Sequence, residues 1–132
     1  MRADIAKYNT KLTPVHKKVC VLLAKELDAG LPGAENKLWH GHPVWFLEGN
    51  PIAGYSLQRQ GIRLMFWSGA GFDEPGLNVV GGKFKDASVF FGDAADVKVT
   101  SLRRWLRKSR TIQWDYKNIV KRKGRLVRLK IE

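Results

Sequence analysis

Apolar residues recur at helical spacing early in the chain. Val15, Val19, Leu22, Leu23 and Leu27 share one stripe, and Lys17, Lys18, Lys25 and Asp28 fall mainly on the other side. Thr13-Pro14 precedes the stripe, placing a hydroxyl where it can cap the first turn and a proline where its missing N–H does no harm. Ala29-Gly30-Leu31-Pro32-Gly33 then stops the helix. The pattern predicts a helix from Pro14 to about residue 29, with Tyr8 and Leu12 packing ahead of it.

From about 35 to 67 the period shortens to two, with glycine or proline at the breaks. Four strands are predicted, over 36–40, 43–48, 52–58 and 61–67, with a bend at Gly41 and Pro43 and tight turns at Gly49-Asn50 and Gln60-Gly61. In the fourth, Ile62, Leu64 and Phe66 alternate with Arg63, Met65 and Trp67, so the Ile-Leu-Phe side should meet the helices. Residues 68–83 form a long irregular segment with a short turn of helix near Pro75, and a fifth strand covers Ala87–Phe91. A second helix is predicted from Thr100 or Ser101 to before Gly124. It buries Leu102, Trp105, Leu106 and Ile112 and turns Arg103, Arg104, Arg107 and Lys108 outward, and 125–132 follow as a tail or short edge strand. This is an α+β class, an antiparallel sheet of about five strands flanked by N-terminal and C-terminal helices. The organisation read here is one domain over 1–120 and a basic tail over 121–132.

At 132 residues and 44% apolar composition, the chain has enough material for a single core. No run approaches the roughly 18 apolar residues of a membrane span, and the first residues lack an apolar signal core, so the chain reads as a soluble cytoplasmic protein. The lone Cys20, in Val19-Cys20-Val21-Leu22-Leu23, reads as a buried small hydrophobe. The net charge of +12 is unevenly spread. Residues 1–100 carry 12 basic and 10 acidic side chains, net +2, whereas 101–132 carry 12 basic and 2 acidic, net +10. Such an excess either forms a solvated helix and tail that aid solubility or attracts polyanions such as nucleic acid or a phospholipid surface through Arg103, Arg104, Arg107, Lys108, Lys121, Arg122, Lys123 and Arg125.

No catalytic constellation is complete, which weighs against an enzyme. No serine lies in a Gly-x-Ser-x-Gly elbow, Cys20 sits in core, and Gly69-Ala70-Gly71 and Gly81-Gly82-Lys83 do not complete a phosphate loop. The Asp73-Glu74 and Asp93/Asp96 pairs read as turn and cap residues. His40 and His42 would share one face of a strand, two ligands where a metal site wants three or four. A third would have to come from His16, Glu48, Asp73 or Glu74, so no metal or other cofactor is assigned. A small-molecule or protein-partner site on the sheet and the 37–45 turn is the leading expectation. Its residues are Trp39, His40, His42, Trp45 and Tyr55, with Trp67 and Arg63 beside them.

The segment Lys37-Leu38-Trp39-His40-Gly41-His42-Pro43-Val44-Trp45 resembles the Trp-Gly-x-Pro-type signature of the bacterial YdhG-like domains, a family of unknown function; here it reads Trp-His-Gly-His-Pro. Ile62-Arg63-Leu64-Met65-Phe66, Gly81-Gly82-Lys83 and Asp96-Val97 add to the resemblance, which covers roughly residues 5–120. It implies a frataxin-like α+β arrangement. One branch of the family is described as iron chaperones, which makes intracellular iron delivery a further expectation. Frataxin-like iron binding uses an acidic surface, however, and the first helix here is basic at His16-Lys17-Lys18.

Overall fold

The computed structural model describes residues 2–131. Three helices, α1 (Ala3–Thr10), α2 (Pro14–Gly30) and α3 (Val99–Ser109), pack with six strands: β1 (Glu35–Trp39), β2 (His42–Leu47), β3 (Asn50–Gln58), β4 (Gly61–Phe66), β5 (Val79–Val80) and β6 (Ala87–Phe91). All neighbours are antiparallel, in the order β1-β2-β3-β4-β6-β5. The fold is α+β as the pattern predicts, with six strands instead of about five because Val79 and Val80 add a short edge inside the 68–83 segment. That segment also holds a 3-10 turn at Gly69–Gly71, ahead of the turn expected near Pro75.

Alternation along the strands decides what each sheet face buries. Trp45, Tyr55, Ile62, Leu64, Phe66 and Phe91 join Val19, Cys20, Leu23 and Leu27 of α2 and Leu102, Trp105 and Leu106 of α3 in the main core. Their neighbours on the other parity, Val44, Phe46 and Trp67, form a second cluster on the outer face with Trp39, Met65 and Tyr116 against it. Each large side chain fully withdrawn from water contributes about 1.5–3 kcal/mol.

Two of the three tight hairpins use a residue followed by glycine at positive φ, and the third, Arg59-Gln60 between β3 and β4, places its positive-φ glycine, Gly61, at the start of β4. His40 (52°) and Gly41 (83°) link β1 to β2, and Glu48 (50°) and Gly49 (81°) link β2 to β3. The first bend is therefore His40-Gly41, and Pro43 lies within β2 as the partner of Leu38; the second is Glu48-Gly49, with Asn50 already in β3. Histidine tolerates the left-handed region better than most residues, which gives His40 a backbone role.

Two helical expectations need correction. Residues ahead of α2 form their own helix, α1, which buries Ile5 and Asn9. The last helix stops at Ser109 and does not continue toward Gly124. There the Ser109 hydroxyl donates to the Leu106 carbonyl, and the amides of Arg110 and Thr111 tighten onto the carbonyls of Arg107 and Lys108. Ile112 packs on the core from beyond the helix. Residues 112–116 then run extended, 117–124 coil through successive turns, and 125–131 fold back along 113–115. Leu129 N–H donates to the Gln113 carbonyl, Asp115 N–H donates to the Val127 carbonyl, and Trp114 bridges to Arg128.

Candidate polyanion-binding surface

The sheet divides the aromatic and histidine set expected to form a pocket. Trp45 and Tyr55 are each only 1% exposed and lie in the main core. Trp45 Nε1 donates to Asp28 at 2.8 Å, and the Tyr55 hydroxyl donates to Asn9 Oδ1 at 2.8 Å. Burial pushes the Tyr55 pKa up, and that of Cys20 up to about 12, so neither supplies an anion at neutral pH. Trp39 lies on the outer face, with its ring centroid 4.4 Å from that of His40 and 6.1 Å from that of Trp67. His42 is half-buried, and its Nδ1 is enclosed with no hydrogen-bond partner among the described residues. Burial lowers its pKa; the nearby His40 and Arg63 push the same way, and the adjoining Pro43 carbonyl opposes them. Arg63 is occupied by Ser88 Oγ at 2.8 Å and by Asp86 at 3.6 Å. Trp39, His40 and His42 thus stay together, whereas Trp45 and Tyr55 belong to the other side of the sheet.

Among the described residues no three His, Cys, Asp or Glu side chains converge on a point where a metal could sit. Glu74, a potential third ligand, is instead surrounded by cations. It accepts from Arg104 Nε (2.8 Å) and Nη2 (2.6 Å), from Trp105 Nε1 (3.0 Å) and from Lys108 Nζ (2.6 Å). These donors, Arg104 first, outweigh the cost of its burial and hold its pKa down to about 2.

The same pairing sorts the basic residues of α3 and the tail. Arg103 donates from Nε and Nη2 to the two oxygens of buried Glu26, both at 3.0 Å, while its side chain stays 62% exposed. Arg122 pairs with buried Asp115, whose burial would raise its pKa but which Asn118 and Arg122 together lower. Of the eight cations expected to meet a polyanion, Arg103, Arg104, Lys108 and Arg122 therefore hold buried carboxylates. Arg107, Lys121, Lys123 and Arg125 are exposed and have no acidic partner among the described residues.

The free cations acquire a shape from α2. A groove of about 300 Å³ between α2 and α3 is lined by Lys25, Glu26, Ala29, Gly30, Arg103, Arg107 and Arg110. Lys25 also borders a depression along α2 with Pro14, Lys17, Lys18, Val21 and Leu22. Arg110 in turn also borders one of about 430 Å³ where Glu48, Asn50, Asp115, Lys117 and Lys130 meet. Lys25 and Arg110 are each shared by two of the three depressions, which are taken together as one band with eight cations and three carboxylates. Neither Trp39, His40, His42, Trp45 nor Tyr55 borders any part of it.

No protein-family model, curated protein or solved structure matches this chain. The arrangement of its charges is therefore the basis for any functional reading.

The α2 lysines, Arg110, Lys117 and Lys130 were absent from the polyanion set read from the sequence. The outward stripe of α2 was legible, but nothing local says that it lies beside α3. Close approach makes that possible: a Cβ on Gly30 would lie 2.6 Å from Leu106 Cδ1, so only glycine leaves room for the contact.

Proposed function

We propose that the protein binds a polyanion, nucleic acid in the first instance, through the cationic band across α2, α3 and the C-terminal segment. The observation that carries this is the sharing of cations: Lys25 and Arg110 each border two of three neighbouring depressions that together hold eight cations against three carboxylates. Arg103 supports it, since Glu26 fixes two of its nitrogens and leaves a largely exposed guanidinium already oriented. The test compares charge-reversed variants on a fluorescein-labelled polyanion. Arg107→Glu with Arg110→Glu should weaken binding by about tenfold or more at unchanged melting temperature. Lys121→Glu with Lys123→Glu, off the band, should weaken it less. Undiminished binding by a folded Arg107→Glu/Arg110→Glu protein would contradict the proposal.

A second reading rests on His42, whose Nδ1 is enclosed without a hydrogen-bond partner among the described residues, and on the strand pairing that sets His42 opposite Trp39. It makes Trp39, His40 and His42 a site for a small molecule with an aromatic and an anionic part. Benzoate should then perturb the His42 ring resonances, and spectra unchanged at millimolar benzoate would count against it. Membership of the YdhG-like, frataxin-like group stays a proposal resting on the 37–45 segment. Its iron-chaperone branch has no ligand set among the described residues to support it.

A further inference from the structure

We infer that the polyanion is a nucleic-acid duplex, held through its phosphates with no preference for base sequence. This rests on the polyanion reading and narrows it.

The first ground is what the band lacks. Its three depressions are bordered by lysines, arginines, small and aliphatic residues, amides and three carboxylates, and by no Phe, Tyr, Trp or His. Proteins that take single strands without sequence preference combine a basic track with aromatic rings on which unstacked bases lie, each stacked base adding about 1–3 kcal/mol. With no ring on the band, a single strand has only its phosphates to offer here. A duplex keeps its bases stacked internally and gives up nothing by that lack. Trp39 and Tyr116 pack on the outer sheet cluster, and the Trp114 ring lies under Lys85 and Arg128, so none of the three rings borders the depressions.

The second ground is spacing. Lys18 and Lys25 are seven residues apart on α2, about two turns or 10 Å along the axis, and Arg103, Arg107 and Arg110 mark successive turns over a similar length. Lys25 of α2 faces Arg103, Arg107 and Arg110 across the groove itself, and Lys18 carries the charge on into the adjoining depression along α2, an arrangement suited to a rigid polymer of regularly spaced charge. α2 and α3 both bury their apolar stripes in the core, so what they offer a duplex along the groove is the charged ends of Lys25, Arg103, Arg107 and Arg110. Contact restricted to phosphates positions a protein without reading sequence.

The test uses the full chain with four labelled probes: two 20-base-pair DNA duplexes of unrelated sequence, one of their single strands, and phosphatidylserine vesicles. Expected are duplex affinities within about twofold of each other and a single strand bound at least about tenfold more weakly. A single strand bound as tightly as the duplexes, or one duplex preferred by tenfold, overturns this inference and leaves the polyanion reading standing. Binding to vesicles without binding to either duplex assigns the band to a membrane surface and overturns the inference too. Failure to bind any of the four, and heparin as well, overturns the polyanion reading itself.

Discussion

Arg104 grips Glu74 with two nitrogens of its guanidinium, Nε to one carboxylate oxygen at 2.8 Å and Nη2 to the other at 2.6 Å, across 30 residues of sequence. Two-point contact fixes both groups in one plane, and Lys108 and Trp105 complete the shell around a carboxylate only 5% exposed. The pair ties α3 to the loop after β4, so part of the basic charge that looks available in sequence is structural.

Replacing Glu74 with Gln should therefore cost about 1–3 kcal/mol in urea-induced unfolding, because Arg104, Trp105 and Lys108 lose an ionised partner together. Polyanion affinity at neutral pH should not fall, since the change frees cations. A stability equal to that of the parent chain would show that the shell contributes nothing.

Stability should fall on acidification in two separate windows. Glu74 has an ordinary pKa of 4.5 and a folded value of about 2, so its contribution is complete above 4.5 and is lost as pH drops toward 2. His42 is held below its ordinary 6.5, so the unfolded chain takes up a proton first; its contribution is complete above 6.5 and fades as pH falls below it. Unfolding measured at pH 7.5, 5.5 and 3 should show both steps. His42→Gln should flatten the first and Glu74→Gln should shrink the second, with Asp115, whose carboxyl is also held low, carrying part of what remains; either step undiminished in its variant would refute the assignment.

Tyr55→Phe should cost about 1 kcal/mol, the worth of its hydrogen bond to Asn9, and Trp45→Ala about 3–5 kcal/mol for a buried ring. Neither should alter polyanion binding once folding is allowed for. A specific loss of small-molecule binding in Tyr55→Phe, with the fold intact, would restore that residue to a site.

Gly30→Ala tests the junction of the two helices. Its new methyl would press into Leu106, and the strain of moving α3 away should cost about 1–3 kcal/mol and widen the groove between Lys25 and Arg107. Thermal unfolding and polyanion affinity should decline together; a change in neither would mean that Leu106 yields without moving the helix.

The main elements were legible because their signal is local. Val19, Leu23 and Leu27 repeat at the helical period, and Ile62, Leu64 and Phe66 at the strand period, so α2 and β4 appear nearly where the pattern puts them. The end of α3 was not legible: Ile112 stays in phase with Leu102, Trp105 and Leu106, and only the buried Ser109 and the tightened turn beyond it break the helix. The aromatic set failed as one pocket because pairing register decides which parity each ring takes, and Trp45 and Trp39 took opposite faces. The charges were hardest to read. Arg103 meets Glu26 across 77 residues, a relationship set by packing, and only with such pairs removed does the set of free cations become visible.

Duplex affinity followed by fluorescence anisotropy from 50 to 200 mM salt tests the cationic band most directly. If about five phosphates are neutralised, the plot of log affinity against log salt should have a slope of about −4 to −5, a loss of roughly 10²–10³-fold over that range. Lys25→Ala/Arg107→Ala/Arg110→Ala should make the slope shallower by about 2–3. A slope near zero, or one that the triple variant leaves unchanged, would contradict the account.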